Sequence, residues 1–318
     1  MADKESTDDR MDGGATDKKA TAARPKTSAR KSASSAATSK TKTRKTAKRK
    51  SAVKSTSKKS KRVSSRVKSK KSKRRKKSKA PQIPMEEQVA AVLDSLQNVA
   101  DPRVLNDMSA RYGIFTDKAF GVSMSNIQQV AKPLGRNHDL ALALWNTGWY
   151  EARMLTSFID DPELVTSMQM ESWCADFDNW GICDTLCFNL FDRTPHAWRK
   201  MIQWCKREEE FIKRAGFALL WALTVHDKTA TDDQFVQGLV MVLRGANDNR
   251  PLVKKAVNMA LRAVGKRNRG LNAAAIAIAR RLTESQNSNA RWVGSHALRE
   301  LTSESVIARL GARAAAAK

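Results

Sequence analysis

Between Lys18 and Ala80 the sequence holds no Asp or Glu, and before position 81 it holds no Phe, Trp or Tyr. A segment without aromatics and with charge of one sign cannot bury enough apolar surface to offset the entropy of ordering its chain, so residues 1–80 read as a disordered tail. No run of about 18 consecutive apolar residues occurs, which argues against a membrane span. The polar, acidic start "MADKESTDDRMDGG" lacks the pattern of a secretory signal peptide. The four cysteines, Cys174, Cys183, Cys187 and Cys205, form no CxxC pair. Cys183 and Cys187 are one helical turn apart and in principle able to grip a metal, but small buried thiols in a reducing compartment are the commoner outcome. No metal or cofactor is therefore expected, and the chain reads as intracellular. Nor does any segment alternate apolar and polar residues long enough to make a strand.

What is present is charge, unevenly placed. The 318 residues carry a net charge of +27. Residues 1–80 hold 30 Lys plus Arg against 6 Asp plus Glu, and residues 81–318 hold 29 against 26. The tail therefore accounts for +24 and the remainder for +3. Its core, "KTRKTAKRKSAVKSTSKKSKRVSSRVKSKKSKRRKKSK", alternates cations with Ser, Thr and Ala. Such a polyelectrolyte displaces counterions from nucleic-acid phosphates without reading bases. Membrane surfaces attract polybasic segments too, but no lipidation motif or apolar anchor accompanies this one. The composition resembles linker-histone tails and those of some bacterial nucleoid proteins. With 28 cations between Lys18 and Lys79, far more than solubility requires, nucleic acid is the expected partner.

After "APQIP" the pattern changes. "MEEQVAAVLDSLQNV" places Val89, Val92, Leu93 and Leu96 at helical spacing, and "LVTSMQMESWCADF", "FIKRAGFALLWALTV" and "LVKKAVNMALRAVGK" do the same. Short breaks such as "DPRV", "DDPEL", "DRTP" and "NDNRP" put Asp or Asn where helix N-caps are expected. The helices also resemble one another: "WYEARMLTSF" at 149, "NWGICDTLCF" at 179, "FIKRAGFALL" at 211, "LVKKAVNMAL" at 252 and "RWVGSHALREL" at 291 recur every 30 to 41 residues. That period predicts an all-α, HEAT-like solenoid over residues 81–318, whose corresponding helices line one concave surface.

These blocks, together with "SARYGIFTDKAFGVSMSNI" and "ESWCADFDNWGICD", resemble the DNA alkylation repair family of HEAT-like-repeat glycosylases, the AlkD type, from about residue 84 to about 302. The resemblance implies that Trp180 and Asp184 are the aromatic and the carboxylate of an active site, and that Arg214 faces a phosphate. It implies that Tyr112 is a conformational or DNA-facing tyrosine, and Lys254, Lys255 and Arg262 are expected to face DNA. The family's second active-site tryptophan falls at Met259, and an often acidic position is Gly181. By residue type alone, Trp180 is more often core than site, and an arginine such as Arg214 more often a solvated or snorkelling side chain.

The chemistry implied is excision of 3- or 7-alkylated purines from duplex DNA. Such a base is cationic, so its glycosidic bond is already weakened and positive charge develops on the sugar as it leaves. A fixed carboxylate stabilises that charge, an indole one turn earlier walls the sugar and base, and an arginine holds the backbone. The family implies capture through the backbone without base flipping, and the chain is expected to act as a monomer. The alternative is a non-catalytic DNA-binding protein for distorted or branched DNA or for nucleoid organisation, which Met259 favours. Deleting residues 1–80 removes +24 of charge. Since the salt slope of duplex binding is roughly 0.9 per neutralised phosphate, the truncated protein should bind with lower affinity and a flatter log Kd against log salt line. Parallel lines for the two proteins would show that the tail does not touch DNA.

Overall fold

The computed structural model describes residues 83–316, so the expectations for the tail lie outside the described residues. Those residues form helices and no strand. In chain order they are α1 (Met85–Gln97), α2 (Pro102–Ala110), α3 (Met124–Ala131), α4 (His138–Asn146) and α5 (Tyr150–Ile159), then α6 (Ser167–Ala175), α7 (Trp180–Asn189) and α8 (Ala197–Trp204). The remainder are α9 (Glu210–His226), α10 (Asp232–Gly245), α11 (Pro251–Gly265), α12 (Arg269–Thr283), α13 (Ser288–Leu301) and α14 (Glu304–Ala316). Helices two apart in sequence stack: α3 on α5, α5 on α7, α7 on α9, α9 on α11 and α11 on α13. The even-numbered α4, α8, α10 and α12 each pack on the odd helix that follows. This is a HEAT-like α-solenoid, and the five segments at the 30- to 41-residue spacing are α5, α7, α9, α11 and α13, one continuous row.

Burial follows position in the stack. Helix α9 lies between α7, α8 and α11, and Ala215, Phe217, Ala218, Leu219, Leu220, Ala222 and Leu223 along it are all buried, with no polar stripe left over. Trp145 on α4 stacks on Trp173 of α6 with ring centroids 4.2 Å apart, and both are buried. Capping is only partly where the breaks suggest. Asp101 of "DPRV" caps α2, accepting from Arg103 N–H at 2.8 Å. In "DDPEL" the cap of α6 is Thr166 instead, and α8 and α11, after "DRTP" and "NDNRP", have no side-chain cap. Asp248 of "NDNRP" lies two residues ahead of Arg250, the N-cap position of α11, and accepts its backbone N–H at 3.1 Å and its guanidinium at 2.6 Å, with Lys213 3.2 Å away.

One polar feature fixes the N-terminal part to the row. The connection between α2 and α3 returns past the start of α5, where the carboxylate of Glu151, fully buried, accepts backbone N–H bonds from Phe120 at 3.0 Å, Gly121 at 2.8 Å and Val122 at 3.2 Å. Tyr150 N–H donates to Lys118 C=O at 2.8 Å alongside. Gly121 sits at φ +82°, and a Cβ there would lie 2.7 Å from Leu105 Cβ, so the approach requires glycine. Glu151→Ala strands three N–H donors, each costing about 1–3 kcal/mol when unsatisfied. The midpoint of denaturant unfolding should fall accordingly, and amide exchange at Phe120–Val122 should rise more than in α9–α13. Protection at those three amides equal to the parent's would remove Glu151 from this role.

Candidate active site

Asn179 starts α7: its side chain accepts from Ile182 N–H at 2.9 Å, so Trp180 is the first residue of the helix. Neither Asp176 nor Asp178 is that cap. Asp176 ends α6 and accepts from the Trp145 indole at 2.8 Å, and Asp178 accepts from Asn179 at 2.6 Å. The Trp180 indole N–H donates to the carbonyl of Tyr112 at 2.9 Å, and the two rings meet edge to face at 6.2 Å and 71°. The Arg111 guanidinium lies 5.4 Å from the centre of the Tyr112 ring, which is 44% exposed. Trp180 is half-buried at the surface of the row and is not a core residue.

One turn on, Asp184 is bound in bidentate fashion by Arg214, with Nε to Oδ1 at 2.9 Å and Nη2 to Oδ2 at 2.6 Å. The third nitrogen, Nη1, donates to Leu252 C=O at 2.7 Å. The side chains are 5% exposed for Arg214 and 18% for Asp184. The resemblance had Arg214 facing a phosphate; in the structure it faces the carboxylate. Burial pushes the Asp184 carboxyl up and the Arg214 cation pulls it back, leaving it above the usual aspartate value. Burial alone would lower Arg214, and Asp184 more than offsets this, so the guanidinium stays charged.

Trp180, Asp184 and Tyr112 share a cleft of about 360 Å³, within the range of roughly 300–1,000 Å³ usual for ligand sites. Its walls are mostly apolar, with Met108 from α2, Ile114 and Val122 from the connection, Ile127 from α3 and Met154 from α5. Tyr150 and Gly181 also line it, and Asp184 remains reachable from it despite its pairing. The other residues singled out by sequence lie apart from this cleft. Lys254 donates to Asn289 Oδ1 at 3.3 Å and lies 5.0 Å from the centre of the Trp292 ring. Arg262 pairs with Glu300, and Lys255 is exposed. Met259 is half-buried on α11. The contributions of α2, α3 and Tyr150 carry no sequence signal beyond their apolar spacing. Only Gly181, a missing side chain beside Trp180, hinted that something else fills its space. Among the described residues no group of three His, Cys, Asp or Glu is placed to hold a metal, and no helix is long and apolar enough to cross a membrane.

The family model described as DNA alkylation repair enzyme matches residues 92–301, and the chain belongs to that family. A solved structure from "a new family of proteins related to the HEAT-like repeat DNA glycosylases with affinity for branched DNA structures" superposes with a TM-score of 0.59 at 21% identity, covering 70% of this chain and 96% of that one. A designed armadillo repeat protein matches at 11% identity and a TM-score of 0.26, over 63% of this chain and 99% of its own. No curated protein matches.

Removing one partner of the Asp184–Arg214 pair leaves a buried charge. Arg214→Ala should therefore cost about 3–5 kcal/mol of stability, while the double variant Arg214→Ala with Asp184→Ala costs less than Arg214→Ala alone. Denaturant titration of the variants measures this. A stable Arg214→Ala protein that loses only DNA affinity would show the guanidinium to be a phosphate contact after all.

Proposed function

We propose that this protein is a DNA glycosylase that excises cationic 3- or 7-alkylated purines from duplex DNA, holding the strand by its backbone without flipping the base. The observation that carries the proposal is the Asp184 carboxylate. It is oriented by two hydrogen bonds from a buried guanidinium, it faces a cleft, and the Trp180 indole lies one turn before it on the same helix. The alkylated purine leaves as a neutral base, so no acid is needed to protonate it, and the demand falls on stabilising the sugar as it becomes cationic. A carboxylate held in place before the reaction meets that demand without reorganising, an effect of about a few kcal/mol. Arg214 consumes one lone pair on each Asp184 oxygen and leaves the others for the sugar and an attacking water. Its role here is to orient the carboxylate, and the phosphate contacts fall to other groups: Arg111 beside Tyr112, Lys255, and the tail.

A second reading is that the protein binds distorted or branched DNA without excision. It is favoured by Met259, where the resemblance places a second tryptophan, and by the described affinity of the 21%-identical neighbour for branched DNA. Incubating the protein with a duplex carrying 7-methylguanine and measuring the free base separates the two readings. Asp184→Asn keeps the shape and loses the charge but leaves Arg214 without its anion, so it is assayed at a temperature where its circular dichroism matches the parent's; there its single-turnover rate should fall at least about 100-fold while duplex affinity stays near the parent's. The parent's rate should also fall with acid. The ionised carboxylate is the working form, and its upward shift means that protonation sets in at a higher pH than for a free aspartate. Asp184→Asn should show no such limb, and equal rates for parent and variant would remove Asp184 from the mechanism.

A further inference from the structure

Tyr150, the first residue of α5, is placed differently from the other buried aromatics. Its ring is 8% exposed, and its hydroxyl looks into the cleft that holds Asp184. Trp145, Trp198 and Trp204 each hydrogen-bond a carboxylate through their polar atom. The Tyr150 hydroxyl has no such partner among the described residues, and it is not one of the fully buried unpartnered polar atoms either, so its oxygen is open to the cleft. Space has been kept for it. A Cβ at Gly181 would stand 2.5 Å from the Tyr150 oxygen, closer than real Cβ contacts occur. Gly181 follows Trp180 and precedes Asp184 by three residues on α7, so the bare backbone at 181 brings the hydroxyl to the same turn of helix that presents the carboxylate.

We propose that Tyr150 is a ligand-contacting residue of this cleft, donating its O–H to an oxygen of the deoxyribose–phosphate unit held against Trp180 and Asp184, and that Gly181 exists to let it do so. This rests on the reading of the cleft as a DNA site. The phenol is a donor and not a titrating base. Burial, then the nearby Glu151 and Asp178 charges, push its pKa far above the ordinary tyrosine value, so it stays protonated at any working pH. Open to the cleft and committed to no protein acceptor, the hydroxyl is free to donate to a ligand. The group lies in a mostly apolar wall, and one placed donor among apolar side chains is how such clefts fix the orientation of what they bind. The bland explanation, a ring buried for packing whose hydroxyl is incidental, does not account for the glycine opposite it.

The test uses the full chain and a duplex containing one tetrahydrofuran abasic analogue, which offers the sugar–phosphate unit without a base. Binding is measured at salt high enough to suppress the polyelectrolyte contribution of the tail. Tyr150→Phe should weaken this binding about fivefold, the size of one neutral hydrogen bond, and leave the melting temperature at or above the parent's because no protein contact is lost. Gly181→Ala displaces the hydroxyl without removing it and should show the same loss. The double variant should be no weaker than the worse single, since both act on one contact. Unchanged affinity in Tyr150→Phe overturns the proposal, and so does a drop in melting temperature that accounts for the whole loss. The two readings fail in distinguishable ways. A parent that binds the analogue but releases no 7-methylguanine refutes excision and still lets the Tyr150 contact be judged by affinity. A parent that binds no DNA at all under these conditions refutes both.

Discussion

Three successive helices of the odd-numbered row meet at one guanidinium. Arg214 belongs to α9, two of its nitrogens hold Asp184 of α7, and the third holds the carbonyl of Leu252 at the start of α11. Each of its three nitrogens donates one hydrogen bond, two of them to a carboxylate, which is why a charge 5% exposed is tolerable there. In a solenoid each repeat touches only its neighbours, so the relative placement of two helices normally rests on diffuse apolar packing. Here a directional contact spans three of them and fixes the carboxylate to within the geometry of two hydrogen bonds. The orientation of Asp184 is thus a property of the stack and not of α7 alone.

The cleft in front of that carboxylate has a second wall, and it is tied down differently. The stretch between α2 and α3 has little regular structure, yet it supplies Tyr112, Ile114 and Val122 to the cleft. It is held by the buried Glu151 carboxylate through three backbone N–H groups, and Trp180 is held in turn by the Tyr112 carbonyl. The indole that stands beside the reacting centre in the proposed chemistry is therefore positioned across a sequence separation of 68 residues. Rigid support of this kind is what preorganised electrostatic catalysis requires, because a wall that gave way would let water screen the carboxylate.

Charge is divided unevenly between two parts of the chain. Residues 81–318 carry almost balanced charge, 29 cations against 26 anions, and much of it is committed internally, as in Arg214 with Asp184, Arg262 with Glu300 and Arg250 with Asp248. The excess of positive charge lies in residues 1–80. Long-range attraction to phosphate scales with net charge, whereas stabilising a developing sugar cation needs one anion at one place. Under the proposed function, keeping the first in the tail lets the cleft carry a carboxylate without the whole chain repelling DNA.

The sequence by itself determined the solenoid. The 3.6-residue apolar spacing and the recurrence every 30 to 41 residues are local patterns, each repeat buries its own stripe against the next, and so α5, α7, α9, α11 and α13 were legible as one row before any coordinates. Trp180 and Asp184 were legible as a candidate pair only through the family resemblance, since by residue type alone a tryptophan at helical spacing reads as core. The partners across helices were not. That Arg214 turns to Asp184 and not outward, that Tyr150 points its hydroxyl at the blank left by Gly181, that Thr166 and not Asp160 or Asp161 caps α6, and that Glu151 clasps a loop some 30 residues upstream all depend on where separate elements come to rest. A side chain's type restricts what it can bond to, but which donor lies within 3 Å of it is set by packing over the whole stack, and no local window of sequence contains that distance.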